Sequence, residues 1–153
     1  MSNSVKASVG EIMNERLETI GILNTAQEAA MKMADKNVSS LVVHDDGGKA
    51  IGILTEGDLV RRVCTKSIPS SSVTIQNTIS SPIKTIAPNT PIDEATDIML
   101  RNKIRHIVVA DENREPIGIV SATDIVAFVR KNSDAMAQVT REVLEALEKE
   151  GKI

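Results

Sequence analysis

Two short segments of the chain pair a hydroxyl residue with an aspartate three positions later: Thr55 with Asp58, and Ser121 with Asp124. A carboxylate can accept hydrogen bonds from two neighbouring hydroxyls, which suits a ribose 2′,3′-diol, and each such bond is worth about 1.5–3 kcal/mol. The Thr or Ser hydroxyl, together with the amides at a helix N-terminus, can hold a phosphate. The same spacing is also typical of a helix cap. Spacing alone therefore favours capping and leaves ligand binding as the alternative.

The two segments occupy equivalent positions in a duplicated sequence. A shift of 66 residues aligns residues 9–63 with residues 75–129 without a gap, and 14 of the 55 aligned pairs are identical. The alignment also preserves the pattern of apolar residues. Because such an ungapped register is hard to obtain by chance, we interpret the chain as two copies of one unit.

Each copy predicts a β-α-β-β-α unit. A short Thr-containing segment precedes a helix with apolar residues at helical spacing. Two β-branched runs joined by a polar turn then form a hairpin, and a second helix closes the unit. The predicted ranges are helices 25–36, 57–66 and 123–131, a helix whose first residue is Pro91, and strands 38–44, 50–55, 104–110 and 116–121.

These elements predict an α+β fold in which the two units pack sheet to sheet around one shared core. A unit of about 55 residues would struggle to bury enough apolar surface alone. We assign residues 1–66 to the first repeat (core 9–63), 67–74 to a Ser-rich linker, 75–131 to the second repeat and 132–153 to a C-terminal helix. Two independent units on a flexible tether are the alternative.

The predicted C-terminal helix carries an apolar stripe. Its members are Met136, Val139, Val143, Leu144 and Leu147. Such a stripe packs on its own domain or forms a contact between subunits. The sequence leaves both alternatives open.

The hairpin and the residues that follow it resemble the CBS-domain family. The pattern apolar-Gly-apolar-apolar-Thr/Ser-x-x-Asp occurs at residues 51–58 and again at residues 117–124. The resemblance covers residues 9–130 and implies a Bateman module, in which two CBS units pack through their sheets with pseudo-twofold symmetry. It implies a regulatory module that binds AMP, ADP, ATP or S-adenosylmethionine in clefts between the units. It also implies a homodimer whose effector domain lies on another protein chain.

The resemblance further implies that each ligand site is built from both repeats. In one site, Ser121 and Asp124 would work with Met13, Glu18, Val38 and Ser39. In the other, Thr55 and Asp58 would work with Ile79, Lys84, Ile104 and Arg105. For each apolar residue among them, ordinary core packing is the alternative.

Arg105 and His106 open a predicted strand that is otherwise apolar. A guanidinium is a natural phosphate partner, and the resemblance implies that basic residues here face the phosphates of the ligand. The first repeat has two serines at these positions, and Glu18 stands where Lys84 stands in the second repeat. Because Glu18 would repel a polyphosphate unless it lies at the base or ribose end of the ligand, we expect one of the two sites to dominate.

Composition argues against several classes of function. A formal charge of -3 and a pI near 5.4 do not suit broad nucleic-acid binding, and we interpret the basic residues Arg61, Arg62 and Lys66 as solvating a helix end. No apolar run reaches the roughly 18–20 residues of a membrane span. Residues 1–10 show no signal-peptide pattern, so a cytoplasmic location is expected.

Catalytic and metal motifs are also missing from the sequence. Cys64 is the only cysteine, so no internal disulfide forms, and without a cluster of Cys and His we expect no metal site. The sequence has neither a P-loop nor a nucleophile elbow. We therefore expect a non-catalytic sensor of adenine nucleotides without a cofactor, and the alternative is an interaction scaffold with empty nucleotide sites.

Overall fold

The computed structural model describes residues 7–79 and 83–151, apart from the side chains of residues 133–136. The first repeat contains α1 (Val9–Ile12), β1 (Thr19–Gly21), α2 (Ala26–Lys36), β2 (Ser40–His44), β3 (Ala50–Thr55) and α3 (Glu56–Leu59), which continues as a π-helical segment (Val60–Cys64). The second repeat contains a 3-10 turn (Ile75–Asn77), β4 (Thr85–Ile86), α4 (Ile92–Asn102), β5 (His106–Ala110), β6 (Pro116–Ser121) and α5 (Ala122–Lys131). A C-terminal helix, α6 (Ser133–Lys149), follows. The predicted α+β fold of two repeats and a C-terminal helix is confirmed.

Each repeat forms a three-stranded sheet of the same topology. The strand orders are β1-β2-β3 and β4-β5-β6. In both sheets the first two strands are parallel, and the last two form an antiparallel hairpin. The register shifts once in each hairpin, between Val43 and His44 and between Val109 and Ala110, which are equivalent positions. The duplication therefore extends to the irregularity of the sheet.

The strands β2 and β5 begin two residues later than predicted, because the preceding helices end in a turn that uses those residues. Asn37 and Lys103 adopt left-handed conformations with φ of 52° and 54°. The next amides, of Val38 and Ile104, then donate to the carbonyls of Met33 and Met99, each over 3.0 Å. These hydrogen bonds satisfy helix carbonyls that would otherwise lack partners.

Several helix boundaries also differ from the prediction. Helix α4 begins at Ile92, and Pro91 precedes it as the cap residue. Pro91 forms an isolated bridge with Ser8, so the start of this helix is tied to the N-terminal segment. Helix α3 begins at Glu56, and its π-helical continuation ends at Cys64 rather than at Lys66.

Buried apolar residues form two clusters rather than the one shared core that we expected. One cluster belongs to the second repeat but includes Val9, and the other belongs to the first repeat but includes Ile75. Val9 and Ile75 are equivalent positions, and both are 0% exposed. Their amides donate to Thr90 and Asn24 over 2.9 and 3.0 Å. Each repeat thus completes its core with a segment that precedes the other repeat's sheet, which explains why neither unit is self-sufficient.

The central strands are buried on both faces. Because side chains alternate along a strand, Leu41 and Val43 face the first repeat's cluster. Val42 lies on the opposite face, as does its equivalent Val108, and they are only 2% and 0% exposed although they belong to neither cluster. This second face of each sheet is the one packed towards the other repeat.

The C-terminal helix packs partly on its own chain. It contacts α5, and Val139 packs against the second repeat's cluster. Leu144 is 46% exposed, and Met136 lies outside the side chains that the structure describes. Part of the apolar stripe therefore remains open. None of the described helices is both long enough and apolar enough to cross a membrane.

Candidate functional site

Two clefts open between the repeats in the described part of the chain. The larger has a volume of about 620 Å³ and is lined by residues 53, 55–58 and 61 of the first repeat and by residues 83, 84 and 102–106 of the second. The smaller, of about 230 Å³, is lined by residues 14, 16, 18 and 37–40 of the first repeat and by residues 106, 119, 121, 123 and 124 of the second. Both clefts take residues from both repeats.

The structure brings together most of the residues that the sequence pointed to. The larger cleft contains Thr55, Asp58, Lys84, Ile104 and Arg105. The smaller contains Glu18, Val38, Ser39, Ser121 and Asp124. His106 lines both. What these residues bind stays a prediction.

Met13 and Ile79, which are equivalent positions, lie elsewhere. The structure places both in apolar packing, Met13 against the second repeat's cluster and Ile79 against the first repeat's cluster. Gly118 leaves the space that Met13 fills, because a Cβ at residue 118 would lie 2.9 Å from Met13 Cγ. Met13 and Ile79 therefore take part in core packing, which was the alternative for the apolar residues of the predicted sites.

Both aspartates form capping boxes with the hydroxyl residue three positions before them. Asp58 Oδ2 accepts hydrogen bonds from the backbone amide of Thr55 at 2.9 Å and from its hydroxyl at 3.0 Å. Asp124 Oδ2 accepts the same two bonds from Ser121 at 2.8 and 2.9 Å. In return, each aspartate amide donates to the hydroxyl over 3.2 Å. The structure thus shows the capping that the spacing favoured.

Capping restricts what the hydroxyls can do for a ligand. A Thr or Ser hydroxyl has one proton to donate, and here that proton points to the aspartate. Neither hydroxyl can donate to a phosphate while its capping box is intact. A bound phosphate would therefore need hydrogen-bond donors other than the hydroxyls of Thr55 and Ser121. The carboxylates keep a second oxygen, Oδ1, which is free to accept from a ribose hydroxyl.

Backbone hydrogen bonds hold the strand entrances beside these capping boxes. The Arg105 carbonyl accepts from the amide of Ala122 at 2.9 Å, and at the equivalent place the Ser39 carbonyl accepts from the amide of Glu56 at 3.1 Å. These bonds tie each strand entrance to the first residue of the closing helix of its own repeat. Arg105 then reaches the larger cleft and Ser39 the smaller one.

His106 connects the two repeats across the boundary between them, which we call the seam. Its Nε2 lies 2.8 Å from the hydroxyl oxygen of Ser39. Burial lowers the pKa of His106 below its ordinary value of 6.5, against the opposing pull of Glu56, Asp124 and Asp58, while Arg105 adds to the lowering. A neutral imidazole at this seam is therefore favoured in the folded protein.

Acidification should destabilise the protein through His106. Because its pKa is lower in the folded than in the unfolded state, the unfolded chain takes up the proton first, and stability is lost as the pH falls through about 6.5. We expect the fall in melting temperature between about pH 7.5 and about pH 5.5 to be smaller in His106→Asn than in wild type. The same measurement on His44→Asn, which removes the chain's other histidine, shows how much of the change is specific to position 106. An unchanged fall in His106→Asn would show that this side chain does not titrate as described.

Several residues of the clefts were missed by the sequence analysis. Arg61 and Lys103 line the larger cleft and Arg16 the smaller one. Arg61 was interpreted as solvating a helix end, but its guanidinium lies against Gly57, where a Cβ would be 2.7 Å from Nη2. The sequence could have indicated that Arg61 lines the cleft, because Arg61 follows Asp58 by three residues and so lies on the same side of the helix.

A comparison of the sequence with models of protein families agrees with this two-repeat architecture. The model of the CBS domain matches residues 9–64 and again residues 75–131. The chain belongs to the CBS-domain family.

Its similarity to known proteins extends over most of the chain. It is 33% identical over 119 residues to the uncharacterized protein MK0525 of Methanopyrus kandleri, a match that covers 78% of this chain and 61% of that protein. It is 32% identical over 117 residues to a 17.7 kDa protein of Acidianus ambivalens, covering 76% and 70% of the two chains. A conserved protein from Pyrococcus horikoshii has a solved structure with a TM-score of 0.76 and 29% identity, covering 82% and 93%. The chain thus spans less than two thirds of the length of MK0525.

Proposed function

We propose that this CBS-domain pair is a non-catalytic regulatory module that binds an adenosine-containing ligand in the clefts between its repeats. The observation that carries the proposal is the larger cleft, where the capped Asp58 of one repeat and the basic Arg105 of the other line one space of about 620 Å³. That volume lies within the roughly 300–1,000 Å³ of small-molecule sites. Asp58 would hold the ribose, and Arg105 would hold a phosphate.

A ligand in such a cleft would act by bridging the two repeats. It contacts both sides of the seam that His106 and Ser39 already join by a hydrogen bond. A ligand shifts a conformational equilibrium only if it binds one state better than the other. We propose that the clamped arrangement of the repeats is the state that an effector protein recognises.

At the seam, the Ser39 hydroxyl and His106 Nε2 are as close as the nucleophile and the general base of an enzyme would be. Such a pair needs a third group that orients the imidazole. No carboxylate in the described part of the chain makes a hydrogen bond to His106, and Asp124 Oδ2 is engaged with Ser121. We therefore propose that the module binds its ligand without converting it.

Calorimetric titration of the purified chain tests the proposal. CBSX2 was solved with AMP, and the CBS pair of MJ0100 with 5′-methylthioadenosine and S-adenosylmethionine, so AMP, ATP and S-adenosylmethionine are the ligands to titrate, with GMP as the control. We expect at least one adenosine ligand to bind with a dissociation constant below about 1 mM. The absence of binding by all three would overturn the proposal.

The second candidate is an interaction scaffold with empty sites, and a pair of exposed residues favours it. Val60 and Val126 are equivalent positions, 59% and 56% exposed, one on the helical segment that closes each repeat. Two such apolar side chains on a duplicated surface suit a homodimer, whose interface repeats the same patch on both subunits. In sedimentation experiments, Val60→Asp with Val126→Asp should then dissociate the dimer. Ile68→Asp, at a 53% exposed linker residue, should leave the dimer intact.

A further inference from the structure

We propose that the two clefts sort adenosine ligands by charge: the larger cleft takes a nucleotide with an anionic phosphate chain, and the smaller takes an adenosine ligand that lacks one. The inference rests on the proposed adenosine-binding function and names the ligand class of each site.

The lining of the larger cleft is predominantly cationic. Four basic side chains line it against two carboxylates, those of Glu56 and Asp58. The four cations are Arg61, Lys84, Lys103 and Arg105. A cleft lined mainly by one sign of charge concentrates ligands of the opposite sign.

Two of these cations are held in place by the fold. Lys84 Nζ donates to the side-chain oxygen of Asn102 over 2.6 Å, and the guanidinium of Arg61 lies against Gly57. They come from opposite walls, since Lys84 belongs to the second repeat and Arg61 to the first. A phosphate chain between them would be contacted from both repeats.

None of the four cations is kept at the equivalent positions of the other repeat. A shift of 66 residues replaces Arg61 by Ala127, Lys84 by Glu18, Lys103 by Asn37 and Arg105 by Ser39. The capped aspartates are kept at both places, Asp58 and Asp124. The duplication has therefore retained the residue suited to the ribose and changed every residue suited to phosphate.

The smaller cleft is acidic. It carries the carboxylates of Glu18 and Asp124, and its one lining cation, Arg16, is paired with Glu18 through Nε and Oε1 at 3.1 Å. The side chain of Glu18 is 14% exposed and that of Arg16 67%, so the carboxylate lies deeper than its partner. A polyphosphate in this cleft would be repelled by the carboxylates of Glu18 and Asp124.

The test exchanges residues between equivalent positions of the two clefts. The double variant Lys84→Glu with Arg105→Ser gives the larger cleft, at two of the four cationic positions, the residues of the smaller one. We expect ATP affinity, measured by calorimetry, to fall about tenfold or more, while S-adenosylmethionine affinity stays within about twofold of wild type. Arg130→Ser with Lys131→Glu, at exposed positions near the end of α5, changes the net charge equally and should leave both affinities unchanged.

A competition experiment tests the sorting itself. ATP titrated into protein saturated with S-adenosylmethionine should bind with nearly unchanged affinity, because the two ligands occupy different clefts. Direct competition between them would overturn the inference, as would an equal loss of both ligands in the Lys84→Glu, Arg105→Ser variant. Failure of wild-type protein to bind AMP, ATP and S-adenosylmethionine alike would instead refute the proposed function.

Discussion

Substitution of Ile75 by alanine is expected to lower the free energy of unfolding by about 2–5 kcal/mol, the range for truncating a fully buried isoleucine. Ile75 lies in a 3-10 turn before the second repeat's sheet, where a connector residue would ordinarily be exposed. It is instead 0% exposed and packs with Leu41, Val43 and Leu54 of the first repeat. Urea unfolding followed by circular dichroism measures the loss.

Ile68 provides the matched control, because it is the same residue type in the preceding linker and is 53% exposed. Ile68→Ala should change the free energy of unfolding by no more than about 0.5 kcal/mol. If the two alanine variants were equally stable, Ile75 would not complete the core of the first repeat, and the exchange of segments between the repeats would be wrong.

Substitution of Asp58 by asparagine is expected to weaken AMP binding about tenfold or more, because a hydrogen bond from the ribose to a charged acceptor is lost. Asp124→Asn is the control within the same chain. It disrupts a capping box of the same geometry and so should lower stability similarly, but it leaves the larger cleft unchanged. Calorimetric titration of both variants separates the ligand role of the aspartate from its capping role.

A change of ligand provides the matching control. 2′,3′-Dideoxyadenosine monophosphate has no ribose hydroxyls, so Asp58→Asn should not weaken its binding. Equal losses for AMP and for the dideoxy compound would mean that Asp58 supports the cleft without contacting the ribose.

The fold could be predicted from the sequence because each local pattern of residues occurs twice, at equivalent positions of the two repeats. The hairpin strands β3 and β6 lie at the residues predicted from the β-branched runs that flank each polar turn. The starts of β2 and β5 could not be predicted, because they depend on the left-handed residues Asn37 and Lys103. Such conformations are uncommon for lysine, so the residue type at position 103 did not indicate the turn.

The two separate cores were beyond the reach of sequence patterns. Periodicity shows which face of an element is apolar, but not which repeat that face contacts. The exchange of Val9 and Ile75 depends on long-range hydrogen bonds, such as those from their amides to Thr90 and Asn24. The sequence also left open whether Met13 and Ile79 line a cleft or pack in a core, since apolar residues in these two places look alike in sequence.

The candidate site was predicted best where the residue types are polar and duplicated. Asp58 and Asp124 could be found from their spacing, and Arg105 from its contrast with the apolar strand that it opens. Arg61 and Lys103 lack a duplicated partner of the same type, so only the folded cleft brings them together with Lys84. The sequence already indicated part of the divergence in charge, through Glu18 and Lys84, and the folded clefts add Arg61 and Lys103 to it.

Amide hydrogen exchange with and without AMP tests most directly whether the ligand binds in the seam between the repeats. AMP in the larger cleft should slow exchange in residues 55–58 and residues 102–106 together, because these two segments belong to different repeats and both line the cleft. Slowed exchange in only one repeat, or none at a saturating AMP concentration, would contradict binding at the seam.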